Sequence, residues 1–199
     1  MAPDRDTEKL ILEAARKVFH RDGCNARTQD IADEAGINKA LLHYYYRTKD
    51  KLFESVFVDD FSALWNMQAE LVQGDEDIFT VIRGFVRNYI GFLKDHPYLP
   101  QFVHQELTRN PERLHQVIDR KHRLKDTFAA LVKEAVEEGK IIPIELEQLI
   151  TNIMSLSVHP FIARQMIMMA HGFGESQFED FIEQRKESVA EFIIRAIRA

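Results

Sequence analysis

Apolar residues recur along this chain at three- and four-residue spacing, and almost nowhere in the sustained alternation that marks a half-buried strand. The pattern predicts an all-α fold. Leu10, Ile11, Ala14, Ala15, Val18 and Phe19 form one stripe of a first helix that starts near Asp6 or Thr7 and stops at Gly23. A short second helix begins around Thr28, whose hydroxyl suits an N-cap, turns Ile31, Ala32 and Ala35 inward, and ends on a left-handed Gly36. Asn38 is the next N-cap candidate, opening a third short helix through Ala40, Leu41, Leu42 and the run His43-Tyr44-Tyr45-Tyr46. From Asp50 a longer helix carries Leu52, Phe53, Val56, Phe57, Leu64 and Leu71 to near Gly74. Further helices are predicted over roughly 77–95, 97–109, 111–138, 144–171 and 175–198, punctuated by His96-Pro97, Asn110-Pro111, Gly139, Pro143 and Gly172 to Gly174. Pro160, inside the fourth of these, lacks a backbone N–H and should kink it, freeing backbone groups that could line a cavity.

Composition narrows the class. At 199 residues, 45% hydrophobic and 29% charged, the chain has the makings of an ordinary globular core and not of a disordered or low-complexity segment. A single cysteine makes no internal disulfide, and the N-terminal residues lack the apolar core of a signal peptide, so a reducing, cytoplasmic setting is expected. No run of about 18 apolar residues exists, so no membrane span is expected. The net charge of −6 argues against a generic nucleic-acid coating protein. Residues 1–52, however, hold ten lysines and arginines against nine carboxylates, and the acidity belongs to the remainder. A solvated mixed-charge surface accounts for that asymmetry as well as a binding patch does.

Two short helices about a glycine turn make a helix-turn-helix, in which the second helix can lie in the major groove of DNA while the first crosses the backbone. In that arrangement Lys39, Ala40 and Tyr44 face the groove, and Leu42 and Tyr46 face the core. Lysine donates to guanine acceptors and the alanine methyl can meet a thymine methyl. An ordinary helical hairpin shows the same glycine turn, so this pattern alone is weak.

Several spaced elements agree at once, however. Ala14-Ala15-Arg16-Lys17-Val18-Phe19, then Ile31-Ala32-Asp33-Glu34-Ala35-Gly36-Ile37, then Leu42-His43-Tyr44-Tyr45-Tyr46-Arg47-Thr48-Lys49-Asp50-Lys51-Leu52 follow in order over about 45 residues. Thr7 to Lys51 thereby resembles the DNA-binding domain of TetR/AcrR-type bacterial transcriptional repressors. The resemblance implies that Lys49 and Tyr45 contact phosphate and that Tyr46 fills an aromatic core slot. His43 stands where a phosphate-contacting tyrosine is usual, and its imidazole N–H can also donate. The Gly23–Ile31 loop is one residue short, which puts Arg27 in the register of the customary hydroxyl N-cap and leaves Arg27 or Thr28 to touch phosphate. A duplex operator, near-palindromic, is the implied partner.

The rest of the chain agrees with the family in length and helical character. The division expected is a helix-turn-helix domain over 1–52 and a helical ligand-binding and dimerisation domain over 53–199. The resemblance implies a small-molecule pocket in the second. Its load of Phe and Met suits an apolar or aromatic effector, with Phe85, Phe92, Phe102, Phe128, Met154, Phe161 and Met166 as walls and Trp65, Gln105 and His159 as polar handles. Apolar stripes on more than one face of the last two long helices, including Ile150, Ile153, Phe181, Val189, Phe192 and Ile193, suggest a four-helix bundle between two copies. A homodimeric repressor released by its effector is the reading reached, with a ligand-responsive activator as the alternative.

An enzyme or metal protein built on a helical bundle is the rival from another class. Glu112-x-x-His115 has the spacing of a carboxylate-bridged metal site but lacks the second such pair, and His104, His122, His159 and His171 scatter. Cys24 has no resolving partner and reads as a packing residue. No Gly-rich phosphate loop and no Gly-x-Ser-x-Gly turn is present, so neither catalysis, cofactor nor metal is expected.

Overall fold

Asp4 opens the first helix, α1 (Arg5–Asp22): its Oδ1 accepts from the Asp6 N–H at 3.3 Å, and the Thr7 hydroxyl donates to Oδ2 at 3.1 Å. The cap stands ahead of the first apolar residue, which is why the helix starts earlier than the apolar stripe suggests. The structure, a computed structural model, describes residues 4–73, 76–109 and 122–199, the side chains of Cys24, Ala63, Phe102, Gln105, Glu106, Leu107, Arg109, His122 and Arg123 excepted. A 3-10 turn over Gly23–Asn25 leads to α2 (Thr28–Glu34). Here the N-cap is Arg27 and Thr28 is already the first helical residue, so the hydroxyl does not cap, in keeping with the shortened loop. The Ile37 N–H bonds the Ala32 carbonyl at 3.0 Å and the Gly36 N–H bonds Asp33 at 3.1 Å, a closure that needs the left-handed φ of 65° at Gly36. Asn38 Oδ1 accepts from the Leu41 N–H at 2.8 Å and starts α3 (Lys39–Tyr45).

The remaining helices are α4 (Lys49–Gln73), α5 (Ile78–Asp95), α6 (Leu99–Arg109), α7 (His122–Glu137), α8 (Leu146–Ile162), α9 (Arg164–His171) and α10 (Glu175–Ile197). Asn110-Pro111 and the first part of the helix expected over 111–138 lie outside the described residues. No strand occurs among the described residues, and an isolated antiparallel bridge joins Ile141 to Arg198.

The helix expected over 144–171 is two helices, parted at Ala163. Pro160 has no N–H for the carbonyl of Leu156, four residues back. That carbonyl is taken by Arg185, whose Nη2 donates to it at 2.6 Å from α10 and whose guanidinium lies over Phe181, 5.6 Å from the ring centre. The freed backbone group thus binds a side chain.

Two regions of core hold these helices. One gathers Ile11, Val18, Phe19, Ile31, Leu42, Leu52, Phe53 and Val56, and takes in Tyr98 and Leu99 from the α5–α6 junction. The other joins α5, α7, α8 and α10 through residues such as Val86, Ile90, Val132, Leu149, Ile153 and Ile193. Gly84 lets α4 approach α5, since a Cβ there would meet the Leu71 methyl carbons at 2.8 and 2.9 Å.

Candidate nucleic-acid interface

Leu42, 2% exposed, plants α3 on the first core, with Tyr45 and Tyr46 half-buried beside it. The helix period then carries Lys39, Ala40, His43 and Tyr44 onto one exposed face, with Tyr44 61% exposed and its ring edge-on to Tyr45 at 5.6 Å. Arg27 is exposed at the start of α2 and Thr28 is half-buried. Arg47 and Lys51 are also exposed and line, with Tyr44 and Tyr45, a groove of about 690 Å³ between α1, α3 and α4. Sequence reasoning passed over these two cations, although basic residues at 47, 49 and 51 bracket the start of α4.

The two residues that the resemblance assigns to phosphate also tie the first helices together. Lys49 Nζ donates to the Ala26 carbonyl at 3.1 Å, tying α4 to the α1–α2 connection. The Tyr45 hydroxyl accepts from the Asp4 N–H at 3.0 Å, tying α3 to the cap of α1. Tyr46 donates to Glu8 at 3.3 Å, and burial followed by that carboxylate pushes its hydroxyl up to about 12.

Behind the reader lies a polar joint that no local spacing announces. Asp60 of α4, 6% exposed, accepts from Arg16 Nε at 2.7 Å and from the Tyr98 hydroxyl at 3.1 Å, and His96 Nδ1 lies 3.2 Å away. Burial alone pushes the Asp60 carboxyl up, but His96 and Arg16 together outweigh it and hold it below the ordinary aspartate range. Burial and the Asp60 charge push the Tyr98 hydroxyl up. A carboxyl lowered on folding contributes stability that is fully present above its unfolded pKa, about 3.9, and is lost as pH falls through the folded value. Wild-type protein is therefore expected to be more stable than Asp60→Asn at about pH 6, with the gap narrowing below about pH 4. Urea melts of both proteins across that range check this, and a gap independent of pH would contradict the assignment.

Further along the chain, Phe61, Phe85, Phe92, Met154 and Phe161 gather about Leu64, Tyr89 and Leu93. Phe61 meets Phe92 edge-on at 5.2 Å and stacks on Trp65 at 6.2 Å. Phe128 sits in the neighbouring core, against which Phe85 and Phe161 also pack. The expected wall does not extend to Met166, which is 60% exposed because the break at Ala163 turns α9 out of the interior, and the expected handle His159 is exposed on α8, whose buried face runs through Leu149, Ile153, Ser157 and Pro160. The side chains of Phe102 and Gln105 lie outside the described residues. Gln68 and Ser157, at 0% and 1% exposure, are buried polar groups, of which sequence reasoning missed Gln68, whose Nε2 donates to the Phe85 carbonyl at 3.1 Å.

Of the residues expected between two copies, Ile153, Val189 and Ile193 are instead used in the chain's own core, at 2 to 3% exposure. Phe192 is 64% exposed, and Ile150 and Phe181 are half-buried. Glu112 and His115 lie outside the described residues, among which no cluster of three or more His, Cys, Asp and Glu could hold a metal. No described helix is long and apolar enough to cross a membrane.

Comparison with known proteins agrees with this geometry. A sequence profile described as bacterial regulatory proteins, tetR family, matches residues 11–56, which span α1 to the first turns of α4. The HTH-type transcriptional regulator RutR of Escherichia coli K12 is 26% identical over 193 residues, covering 96% of this chain and 90% of that protein. The HTH-type transcriptional repressor NicS of Pseudomonas putida is 32% identical over 139 residues, covering 69% of this chain and 61% of that protein. Among solved structures, the TetR family regulator PfmR of Thermus thermophilus superposes with a TM-score of 0.69 at 19% identity, over 96% of this chain and 98% of that one. With the reader's spaced elements, its folded geometry and relatives that run the length of the chain, residues 11–56 match the tetR family of bacterial regulatory proteins and the protein is a DNA-binding transcriptional regulator.

Proposed function

We propose that the chain is a homodimeric repressor that reads a near-palindromic duplex through residues 1–52 and is released by a small apolar or aromatic effector held within residues 53–199. The observation that carries the first half is the face of α3: Lys39, Ala40, His43 and Tyr44 are exposed together on a helix whose other side is anchored in core. Such a helix offers base-edge contacts in its first turns. Arg27 or Thr28, Tyr45 and Lys49, joined by Arg47 and Lys51, flank it with the donors that grip phosphate.

Dimerisation is supported by the outer faces of α8 and α10. Phe192 and Ile162 stand 64% and 52% exposed there, with half-buried Ile150 and Phe181 and small or polar Thr151, Ser155 and Ser188 between them. Small residues on facing helices permit the close approach of a four-helix bundle. The effector reading is supported by the aromatic cluster of Phe61, Phe85, Phe92 and Phe161 with Met154. Release follows if an occupant prefers a domain arrangement in which the two reading helices no longer match grooves one turn apart. Repression is the reading shared with the relative NicS, whose own description is that of a repressor. No catalytic or cofactor role is assigned, and a DNA partner places the site of action in the cytoplasm.

The test is selection of bound duplexes from a randomised library by the purified protein. A recovered motif with two related half-sites about one helical turn apart is expected. Recovery of no motif above the starting library would overturn the reading.

A further inference from the structure

Three elements of the fold meet on one carboxylate. Among the described residues Asp60 is the buried acid, and its partners come from α1 (Arg16) and from the turn between α5 and α6 (His96 and Tyr98). Arg16 is held at its other end by Asp59, whose Oδ2 accepts from Nη2 at 2.6 Å. A buried carboxylate is costly to desolvate, and an apolar side chain of similar volume would hold these elements together as well or better. What the carboxylate adds is direction. Apolar contacts such as those of Val56 and Leu99 in the same core tolerate sliding, whereas the acceptors of Asp60 are satisfied in one mutual arrangement of α1, α4 and the turn.

The position of this joint gives the direction a consequence. α1 is the helix against which α2 packs, and α2 in turn carries α3, so a rotation of α1 on α4 moves the reading face as a body. On the other side, the His96 ring packs on Phe92 at 4.5 Å and Tyr98 meets Phe53 edge-on at 6.1 Å, so the turn touches both the aromatic cluster and the reader's core. We propose that Asp60, with Arg16 and Tyr98, acts as a set of positioning residues for operator binding: they fix the angle of the reader on the body, and so the spacing of two readers in a dimer. The proposal rests on the dimeric-reader reading above.

Positioning and plain stability separate in one measurement. Each variant is titrated against the full duplex selected by wild-type protein and against an isolated half-site from it, with thermal melts to establish folding. Tyr98→Phe removes a single oxygen and Asp60→Asn a single charge, so the first keeps the test alive should the second fold poorly. For both, affinity for the full duplex should fall by roughly tenfold or more while half-site affinity changes less than about twofold, because only simultaneous engagement depends on spacing. The preference for the selected spacing over one shifted by a base pair should weaken as well. Equal losses on full and half sites, or no loss on either, would overturn the joint while leaving the dimeric reader standing. Failure of the wild-type protein to prefer two half-sites over one would overturn the dimeric reader, and the joint with it.

Discussion

Phe192→Glu is expected to give a folded monomer, whereas Ile193→Glu, one residue away, is expected to give no folded chain. The two side chains differ by about 100° around the same helix. Phe192 is 64% exposed, so a carboxylate there stays in water and leaves the chain's own core alone. Ile193 is 3% exposed and packs with Val189, Ala190, Ile194 and Ile197 in the larger core. A carboxylate in that place has no partner, and its burial costs several kcal/mol against a net stability of roughly 5–15 kcal/mol. In a dimer built on the outer faces of α8 and α10, the Phe192→Glu charge meets its own symmetry mate or an apolar surface, and association fails. Loss of the second reader then removes the avidity of two linked half-sites, lowering operator affinity by roughly 10²- to 10⁴-fold. Sedimentation and circular dichroism read the two outcomes separately. A Phe192→Glu protein that sediments as a dimer and binds undiminished would overturn this interface.

That contrast also shows how far the sequence was legible. Periodicity reveals that the last helix is apolar over a wide arc, and Val189, Phe192 and Ile193 all lie on it. It does not say which part of the arc meets the chain's own core, because that depends on where α5 and α8 lie, and those contacts are distant in sequence. The reader was legible for the opposite reason. Asn38 capping α3 and Gly36 closing α2 act within three or four residues, so their signals are local. Pro160 falls between these cases. Its missing N–H is plain in the sequence, but the donor that answers the Leu156 carbonyl is Arg185, 29 residues beyond that carbonyl. Asp60 was invisible because its partners Arg16 and Tyr98 stand 44 and 38 residues away, and an acid on a helix is ordinarily a solvated one.

Lys39→Ala and Lys49→Ala should both weaken DNA binding, and in different ways. Lys39 is exposed in the first turn of α3, on the face proposed to meet base edges, and its removal takes nothing from the core. If it donates to a guanine, the loss falls at one base position and amounts to about 1–3 kcal/mol of discrimination. Lys49 is half-buried and bonded to the Ala26 carbonyl, so its removal takes the proposed phosphate contact and also leaves a backbone acceptor short of its partner. The first loss weakens binding to all duplexes alike and lowers the salt dependence by about one counterion. The second loosens the α1–α2 connection and costs about 1–3 kcal/mol of stability. Titration of each variant against single-base changes of the selected duplex, at several salt concentrations and beside a urea melt, distinguishes them. Lys39→Ala should flatten the ranking at one position with an unchanged melt, and Lys49→Ala should keep the ranking while binding and melt both fall. An unchanged ranking for Lys39→Ala would mean that α3 enters the groove in a different register, with His43 or Tyr44 leading.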